Sequence, residues 1–270
     1  MTATSLSLLA TALYFITWLL IMFRVRSQIA GNEPKPKSKS LYLMSWFVAL
    51  IAHILVLHYP LLIGKALGLN FFSLASYVMW FISLVLFITS LTRRVKSLAL
   101  LLIPFSVLSI LLPLYIEGQP DAFINMKTGL GVHILTSLLA YSLLMLASFQ
   151  ALLLAFQNNQ LRTHQSSGFS RNLPSLEDME HLLFRFISIG LVLLSITLIT
   201  GFAYLDNLFG SGIAHKTILS IFSWLIFTAL LFGRWKYGWR GRKAINWTLV
   251  GFSVLVLSFF GTKFVQEFVL

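Results

Sequence analysis

The side chains of this sequence that could carry chemistry are its six histidines. They are His53, His58, His133, His164, His181 and His215. The sequence contains no cysteine, which excludes disulfides, thiolate metal sites and thiol redox chemistry. We also find no nucleophile–base pair, metal cluster or phosphate-binding loop of standard spacing. The sequence therefore predicts no catalytic residue, and the imidazole groups are the candidates for binding a metal or carrying a proton.

Long apolar segments must position these histidines. Of the 270 residues, 58% are hydrophobic and only 10% are charged, whereas about a quarter of the residues in soluble domains are charged. Eight segments are long and apolar enough to cross a hydrocarbon core of about 30 Å as helices. They are residues 4–23, 41–62, 71–91, 97–116, 130–157, 183–205, 216–234 and 246–268. We therefore predict an all-α fold, a polytopic transmembrane helical bundle of about eight spans.

The basic residues predict the orientation of these spans. Alternate connections contain Arg24, Arg26, Lys35, Lys37 and Lys39; Arg93, Arg94 and Lys96; Arg162, Arg171 and Arg185; and Arg234, Lys236, Arg240, Arg242 and Lys243. The other connections contain Lys65, Lys127, Lys216 and Lys263. Because cytoplasmic loops are rich in Lys and Arg, we expect both termini to lie outside the cytoplasm. The net charge of +12 then indicates anchoring on anionic lipid rather than binding of nucleic acid.

Two further features concern the ends of the spans. The first apolar segment is expected to be a span rather than a cleaved signal peptide, because it lacks a basic start and a small-residue cleavage site. The longest predicted loop runs from about Arg162 to Leu182. Its Ser-rich start, Pro174 and the acidic residues Glu177, Asp178 and Glu180 indicate a mobile cytoplasmic loop that ends in an amphipathic turn leading into the sixth span.

The depth of each histidine in the membrane separates the six. His53 falls near the middle of the second span, where it would serve either as a ligand or proton carrier or as a partner in an interhelical hydrogen bond. His58 lies nearer the outer boundary, where solvation at the interface is expected. His164 and His181 fall in or beside the long loop and are expected to be solvated.

His133 and His215 are predicted to lie at equal depth at the outer ends of the fifth and seventh spans. Two imidazoles on separate helices could converge on one ligand, and haem iron is a group that neutral imidazole binds well. Ile134, Ile218 and Leu219 would then form apolar walls for a porphyrin. Packing at the interface is the alternative for both histidines.

The last third of the chain resembles the cytochrome c assembly, or haem-handling, membrane protein family of the CcsA, CcmC and HemX types. The matching residues are Gly190–Gly201 (GLVLLSITLITG), Gly210-Ser211, Lys216, Trp224, Arg234, Gly238–Ala244 (GWRGRKA), Gly251-Phe252 and Phe260-Gly261. His133 followed by Ala140-Tyr141 is similar to the histidine-led fifth span of the family. We therefore divide the chain into an N-terminal four-span part, residues 1–127, and an assembly-like four-span part, residues 128–270.

The resemblance implies a membrane protein that handles haem at its outer face, with His133 and His215 as ligands. The chain differs from the haem-presenting members in two places. Gly210–Thr217 replaces their tryptophan-rich segment, and Phe232 stands where the synthase members have a histidine. The chain also lacks the large external domain of full synthases and looks most like the short, HemX-like branch.

Three functions remain open at this point. The first is a non-enzymatic, haem-binding accessory protein of cytochrome c assembly in the bacterial inner membrane, which implies the lipid bilayer and other cytochrome c biogenesis proteins as partners. The second is a transporter of haem or another small molecule, for which we find no internal repeat. The third is a regulatory or structural membrane subunit without haem.

Overall fold

The described part of the chain folds into eight long helices. The computed structural model describes residues 2–31, 36–64, 70–115, 128–163, 173–204 and 214–261. The helices are α1 (Ala3–Ile29), α2 (Pro36–Leu62), α3 (Phe71–Thr92), α4 (Lys96–Tyr115), α5 (Thr128–Arg162), α6 (Leu176–Tyr204), α7 (Ala214–Tyr237) and α8 (Arg242–Val256). A π-helical segment, Leu257–Gly261, follows α8 directly.

The helices confirm the predicted all-α membrane fold. All eight are long and apolar enough to cross a membrane, α8 together with the π-helical segment that follows it, and the residues described here include no strand. Many large apolar side chains on them are exposed, among them Phe23 (59%) and Ile199 (66%). Such surfaces are stable when they face lipid instead of water.

The sixth helix begins earlier than the predicted span at residue 183. The helix α6 begins at Leu176, so the acidic residues, where the sequence indicated an amphipathic turn at the end of a mobile loop, lie in its first turns. Ser175 precedes the helix, and its hydroxyl accepts a hydrogen bond from the Asp178 backbone N–H at 3.1 Å. Glu177 and Asp178 stand in the first turn, where carboxylates interact favourably with the positive end of the helix dipole.

The first of two compact units consists of α1 to α4. In this unit α1 packs against α2 and α4, and α3 packs against α4 and α2. Indole groups connect the helices: the buried Trp46 on α2 donates to the Ser83 hydroxyl on α3 at 2.8 Å. Trp18 on α1 donates to the Leu100 carbonyl on α4 at 3.0 Å. In lipid, satisfied polar contacts of this kind hold helices together where the hydrophobic effect between them is weak.

The second unit contains α5 to α8 and the π-helical segment. The longest helix, α5, packs against α6 and α8, and α7 packs against α8 and α6. The contact between α5 and α6 is close because Gly190 faces Leu144. A Cβ atom at Gly190 would lie 2.8 Å from the Leu144 side chain, so a larger residue would force that side chain to move.

The orientation of the helices in the membrane stays a prediction. If the asymmetry of the basic loops sets it, a reporter fused at Leu270 should be active outside the cytoplasm, and one fused at Ser166 should be active inside. Both positions lie outside the described residues. Fusions to alkaline phosphatase report a location outside the cytoplasm, and fusions to a fluorescent protein report a location inside it. The opposite pattern would move His133 and His215 to the cytoplasmic side.

Candidate functional site

His133 lines a cavity in the second unit. The cavity has a volume of about 280 Å³, and all four helices of the unit or their extensions contribute to its wall. Ligand sites in proteins usually have volumes of about 300–1,000 Å³, so the cavity stands close to the lower end of that range. His133 lies in the second turn of α5 and is half-buried.

A backbone carbonyl group determines which nitrogen of His133 carries the proton. Nδ1 lies 3.0 Å from the Thr197 carbonyl oxygen on α6 and 3.2 Å from the Thr200 hydroxyl. A carbonyl oxygen only accepts hydrogen bonds, so Nδ1–H is the donor and Nε2 keeps its lone pair. Among the described residues, Nε2 has no hydrogen-bond partner. Histidines that bind metals are commonly oriented by such a contact on the second ring nitrogen.

Gly201 leaves room for this imidazole. A Cβ atom at position 201 would lie 3.1 Å from Cε1 of His133 and 3.5 Å from its Nδ1. The first of these distances is shorter than most contacts of real Cβ atoms, so a larger residue would displace the ring. Gly201 ends the segment GLVLLSITLITG, and its position beside His133 gives that part of the sequence a direct role in the site.

Aromatic side chains form one wall of the cavity. The ring centroid of Tyr141 lies 5.5 Å from that of Phe252, 5.7 Å from that of Phe259 and 5.2 Å from that of Phe260. Tyr141 and Phe259 line the cavity directly. The π-helical segment places Phe259 there, and single π-helical turns are frequent at functional sites. Tyr141 and Phe259 thus provide aromatic surface against which a conjugated ring can pack.

The remaining wall is polar. Lys216, Thr217 and Ser220 of α7 line it together with Ser258. The Ser258 hydroxyl donates to the Lys216 carbonyl oxygen at 2.8 Å and lies 2.8 Å from the Ser220 hydroxyl. These contacts hold the π-helical segment against the start of α7.

The structure does not bring His215 into the cavity. His215 is the second residue of α7 and is exposed, whereas its neighbours Lys216 and Thr217 line the cavity. The predicted walls also differ, since Ile134, Ile218 and Leu219 are not among the lining residues. Ligation by His215 therefore stays a prediction, and it would require the side chain to approach the cavity from its open side.

His53 lies in the first unit and is fully buried. Its Nδ1 lies 3.2 Å from the Tyr14 hydroxyl on α1, and its Nε2 lies 3.0 Å from the Ser76 hydroxyl on α3. These contacts are interhelical hydrogen bonds, one of the two roles that the sequence allowed for His53. A bond from His53 to a metal would require breaking one of them, so haem ligation by His53 is a prediction that this arrangement does not favour.

The other histidines have simpler surroundings. The His58 Nδ1–H group donates to the Ile54 carbonyl oxygen of its own helix at 3.0 Å, and its ring contacts Tyr77 edge-on at 5.9 Å. His181 is exposed, with Nε2 lying 3.7 Å from the Glu177 carboxylate. His164 lies outside the described residues.

Sequence reasoning missed the role of Glu180, at the opposite end of the second unit. Thr197 follows Glu180 by 17 residues of α6, a distance of about 26 Å along the helix axis. The Glu180 carboxylate is 9% exposed. It accepts hydrogen bonds of 2.7 Å each from Arg240 Nε and the Gly241 backbone N–H, and it lies 3.9 Å from Arg234 Nη1. The hydrogen bond to Glu180 also raises the pKa of Arg240 above its usual value.

The contacts of Glu180 explain the presence of Arg240 and Gly241 in the segment GWRGRKA. Gly241 has φ +56° and precedes the first residue of α8; its backbone conformation is one that residues with a side chain rarely adopt. The turn therefore presents a backbone N–H and the Arg240 side chain to one carboxylate. The sequence contained no signal for this role, because Glu180 lay outside the predicted span; an acidic residue within a membrane-spanning helix requires a partner.

Comparison with known proteins identifies the family. The sequence matches the family described as cytochrome C assembly protein over residues 39–270. This chain belongs to the cytochrome c assembly protein family. The match includes most of the first unit as well as the second, so it extends well beyond the residues that carried the resemblance. The predicted HemX-like branch stays a prediction.

Similar individual proteins support the assignment to the cytochrome c assembly family. Inner membrane protein YpjD of Escherichia coli K12 is 31% identical over 229 residues, which cover 84% of this chain and 87% of YpjD. Cytochrome c biogenesis protein CcsA of Prochlorococcus marinus (strain MIT 9515) is 29% identical, with 49% of each chain covered. CcsA of Guillardia theta is 26% identical, with coverage of 64% and 63%. This family member is a multi-pass protein of the inner membrane.

The residues around His133 fit haem, the group that the cytochrome c assembly family implies. An oriented imidazole with an available lone pair would suit a ligand to the iron, and the aromatic wall would suit a porphyrin. The described residues include no group of three or more His, Asp or Glu side chains that could hold a bare metal ion. Haem iron takes its equatorial ligands from the porphyrin, so it needs far fewer protein ligands.

Proposed function

We propose that the protein is a haem-binding accessory protein of cytochrome c assembly that holds haem at the outer face of the inner membrane. In this proposal His133 would bind the haem iron from inside the cavity, and His215 is the candidate for a second ligand. When bound, haem would supply the iron and its redox chemistry. The protein would supply an imidazole of defined tautomer and an apolar wall. No step of catalysis is part of the proposal.

One observation carries this proposal more than the others. The Thr197 carbonyl oxygen holds Nδ1–H of His133, and Nε2 is left with its lone pair at a cavity wall. A histidine that serves only in packing gains most when both nitrogens have partners, as they have in His53. A ligand to iron needs the opposite arrangement, with one nitrogen fixed and the other available.

The location of the cavity supports the outer face. The basic segment with Arg234, Arg240 and Lys243 lies at the other end of the second unit, beyond Glu180. Under the predicted orientation that segment faces the cytoplasm. The cavity then opens toward the outer side, where the relatives named for cytochrome c biogenesis would require haem.

The proposal is tested by the absorption spectrum of the full chain purified in mild detergent, before and after titration with haemin. We expect a saturable increase in the Soret band and, on reduction, the sharp α and β bands of low-spin haem. A protein that is colourless and takes up no haemin would overturn the proposal and would favour a regulatory or structural subunit.

A further inference from the structure

Thr197 on α6 lines the same cavity as His133 and carries a polar group without a partner. The residue is 9% exposed, and its hydroxyl oxygen is buried and makes no hydrogen bond to any described residue. The backbone carbonyl oxygen of Thr197 is the group that holds His133 Nδ1. One residue therefore orients the imidazole through its backbone and brings an unpaired hydroxyl to the wall of the cavity.

This hydroxyl lacks a contact that threonines elsewhere in the helices make. A threonine in a helix can donate to the carbonyl oxygen four residues earlier. Three others do so at 2.8, 2.9 and 2.7 Å, namely Thr136, Thr200 and Thr248. Burying a hydroxyl without a partner costs stability, and folded proteins contain few such groups. A ligand in the cavity would supply the missing partner of Thr197.

Other hydroxyl groups of the cavity wall bond within the protein. Ser137 donates to the His133 carbonyl oxygen at 2.6 Å. Ser258 donates to a carbonyl oxygen at the start of α7 at 2.8 Å and lies 2.8 Å from the Ser220 hydroxyl. Thr197 differs from these three serines, so its hydroxyl is available to a group that enters the cavity.

A rotation about χ1 presents the Thr197 hydroxyl to such a group. In this structure the hydroxyl oxygen is enclosed within the wall, although the residue lines the cavity. Threonine occupies two χ1 rotamers in helices, and exchanging them moves the hydroxyl to the place of another substituent on Cβ. The rotation breaks no hydrogen bond to a described residue. A bound acceptor would therefore recruit the hydroxyl at low cost.

The chemistry of haem indicates which group would accept this hydrogen bond. In the function proposed above, His133 Nε2 binds the iron. The edge of a b-type haem carries methyl, vinyl and propionate groups, and of these the propionate carboxylates are the hydrogen-bond acceptors. A hydroxyl that donates to a carboxylate forms a charge-assisted hydrogen bond, which is stronger than a neutral one.

We propose that the Thr197 hydroxyl donates to a propionate carboxylate of haem. This inference rests on the proposed function and adds a specificity-determining residue to it. His133 on α5 would hold the iron and Thr197 on α6 the carboxylate, so two neighbouring groups would fix the rotation of the porphyrin in the cavity. The unpaired hydroxyl then costs stability in the empty protein and contributes affinity when haem is bound.

The experiment measures the affinity of the full chain in mild detergent for haemin and for haemin dimethyl ester, whose propionates carry no charge. Thr197→Val removes the hydroxyl and keeps the branched shape of the side chain, whereas Thr197→Ser keeps the hydroxyl. Thr228→Val is the matched control. Thr228 on α7 also has a buried hydroxyl without a partner among the described residues, but it does not line the cavity. The melting temperature of the haem-free chain is a second readout.

We expect Thr197→Val to bind haemin about tenfold more weakly, as for the loss of a hydrogen bond to a charged group. Its affinity for the dimethyl ester should change less than about threefold, since a neutral acceptor gains less from the hydroxyl. Thr197→Ser and Thr228→Val should retain the wild-type affinity for both compounds. Without haem, Thr197→Val should melt about 2 °C higher than the wild type, because an unpaired buried polar group is replaced by an apolar one.

Three results would overturn this proposal. Equal losses of affinity for haemin and for the ester in Thr197→Val would show that the substitution acts through the packing around His133. Unchanged affinity of Thr197→Val for haemin would show that the hydroxyl does not contact the ligand. Equal losses in Thr197→Val and Thr228→Val would show an effect that is not specific to the cavity. A wild-type chain that binds no haemin is a separate result, which contradicts the proposed function and this inference together.

Discussion

Replacing Glu180 with alanine should destabilise the second unit more than any other single change to its charged side chains. The carboxylate is buried and accepts a backbone hydrogen bond from Gly241 as well as contacts from Arg234 and Arg240. Its removal leaves the Gly241 N–H and the half-buried Arg234 without their anion. We expect a loss of about 3 kcal/mol in the free energy of unfolding, as for a charged hydrogen bond whose donor stays buried.

Thermal unfolding of the chain in mild detergent measures this loss. Glu177→Ala is the matched control, because Glu177 stands one turn earlier on α6, is exposed, and forms its ion pair among the described residues with the exposed His181. Such a surface pair contributes about 0–1 kcal/mol. Glu180→Gln should fall between the two, since an amide oxygen still accepts from Gly241 but carries no charge. Equal melting temperatures for the Glu180→Ala and Glu177→Ala variants would show that the contacts of Glu180 with Arg234, Arg240 and Gly241 do not contribute to stability.

The eight spans could be predicted because the signal that defines them is local. A run of about 20 apolar residues is long enough to cross the hydrocarbon core, and the helices overlap all eight predicted segments. The predicted ends were less accurate where polar residues continue a helix beyond the apolar run. At α6, capping by Ser175 and the acidic first turn start the helix seven residues before the predicted span at 183.

The candidate site could be predicted only in part, because depth along a helix is encoded more clearly than rotation about its axis. His133 and His215 both occupy early positions on their helices, as expected. Which of the two side chains faces a neighbouring helix depends on the rotation of its helix about its axis. A helix with apolar residues on every side has no single apolar stripe, so its sequence does not indicate the buried face. On α7, Ile218 and Phe222 are exposed although they are as apolar as core residues.

Contacts between distant residues could not be predicted at all. The Thr197 carbonyl oxygen that orients His133 lies 64 residues away in sequence, and backbone carbonyl groups have no sequence signature. A cavity of the first unit is lined by basic residues from two separate connections. The sequence showed that both connections are basic, but only their packing shows that they enclose a volume.

Replacing His133 with alanine should cause the largest loss of haem affinity of any single histidine substitution. The variant removes the imidazole whose Nε2 is available at the cavity wall, while Tyr141, Phe259 and Lys216 remain in place. We expect haemin to bind more than about tenfold more weakly and the low-spin α and β bands to disappear, because an axial ligand is lost.

Two comparisons separate ligation by His133 from a purely structural role. His58→Ala is the matched control, since His58 also donates Nδ1–H to a backbone carbonyl oxygen but belongs to the first unit. It should leave the spectrum unchanged. Added free imidazole should restore the low-spin bands of His133→Ala by occupying the space of the missing ring. A variant that recovers neither affinity nor bands with imidazole would contradict the ligand role.

His215→Ala completes the series and tests the second proposed ligand. His215 is exposed and stands beside the cavity wall instead of on it, so its imidazole reaches haem only from the open side. We expect haem affinity to fall by less than in His133→Ala but by more than in His58→Ala, with the spectrum shifting toward high spin as one axial bond is lost. If His215→Ala and His58→Ala give the same spectrum and affinity, the pairing of His133 with His215 is wrong, and His133 binds iron from one side alone.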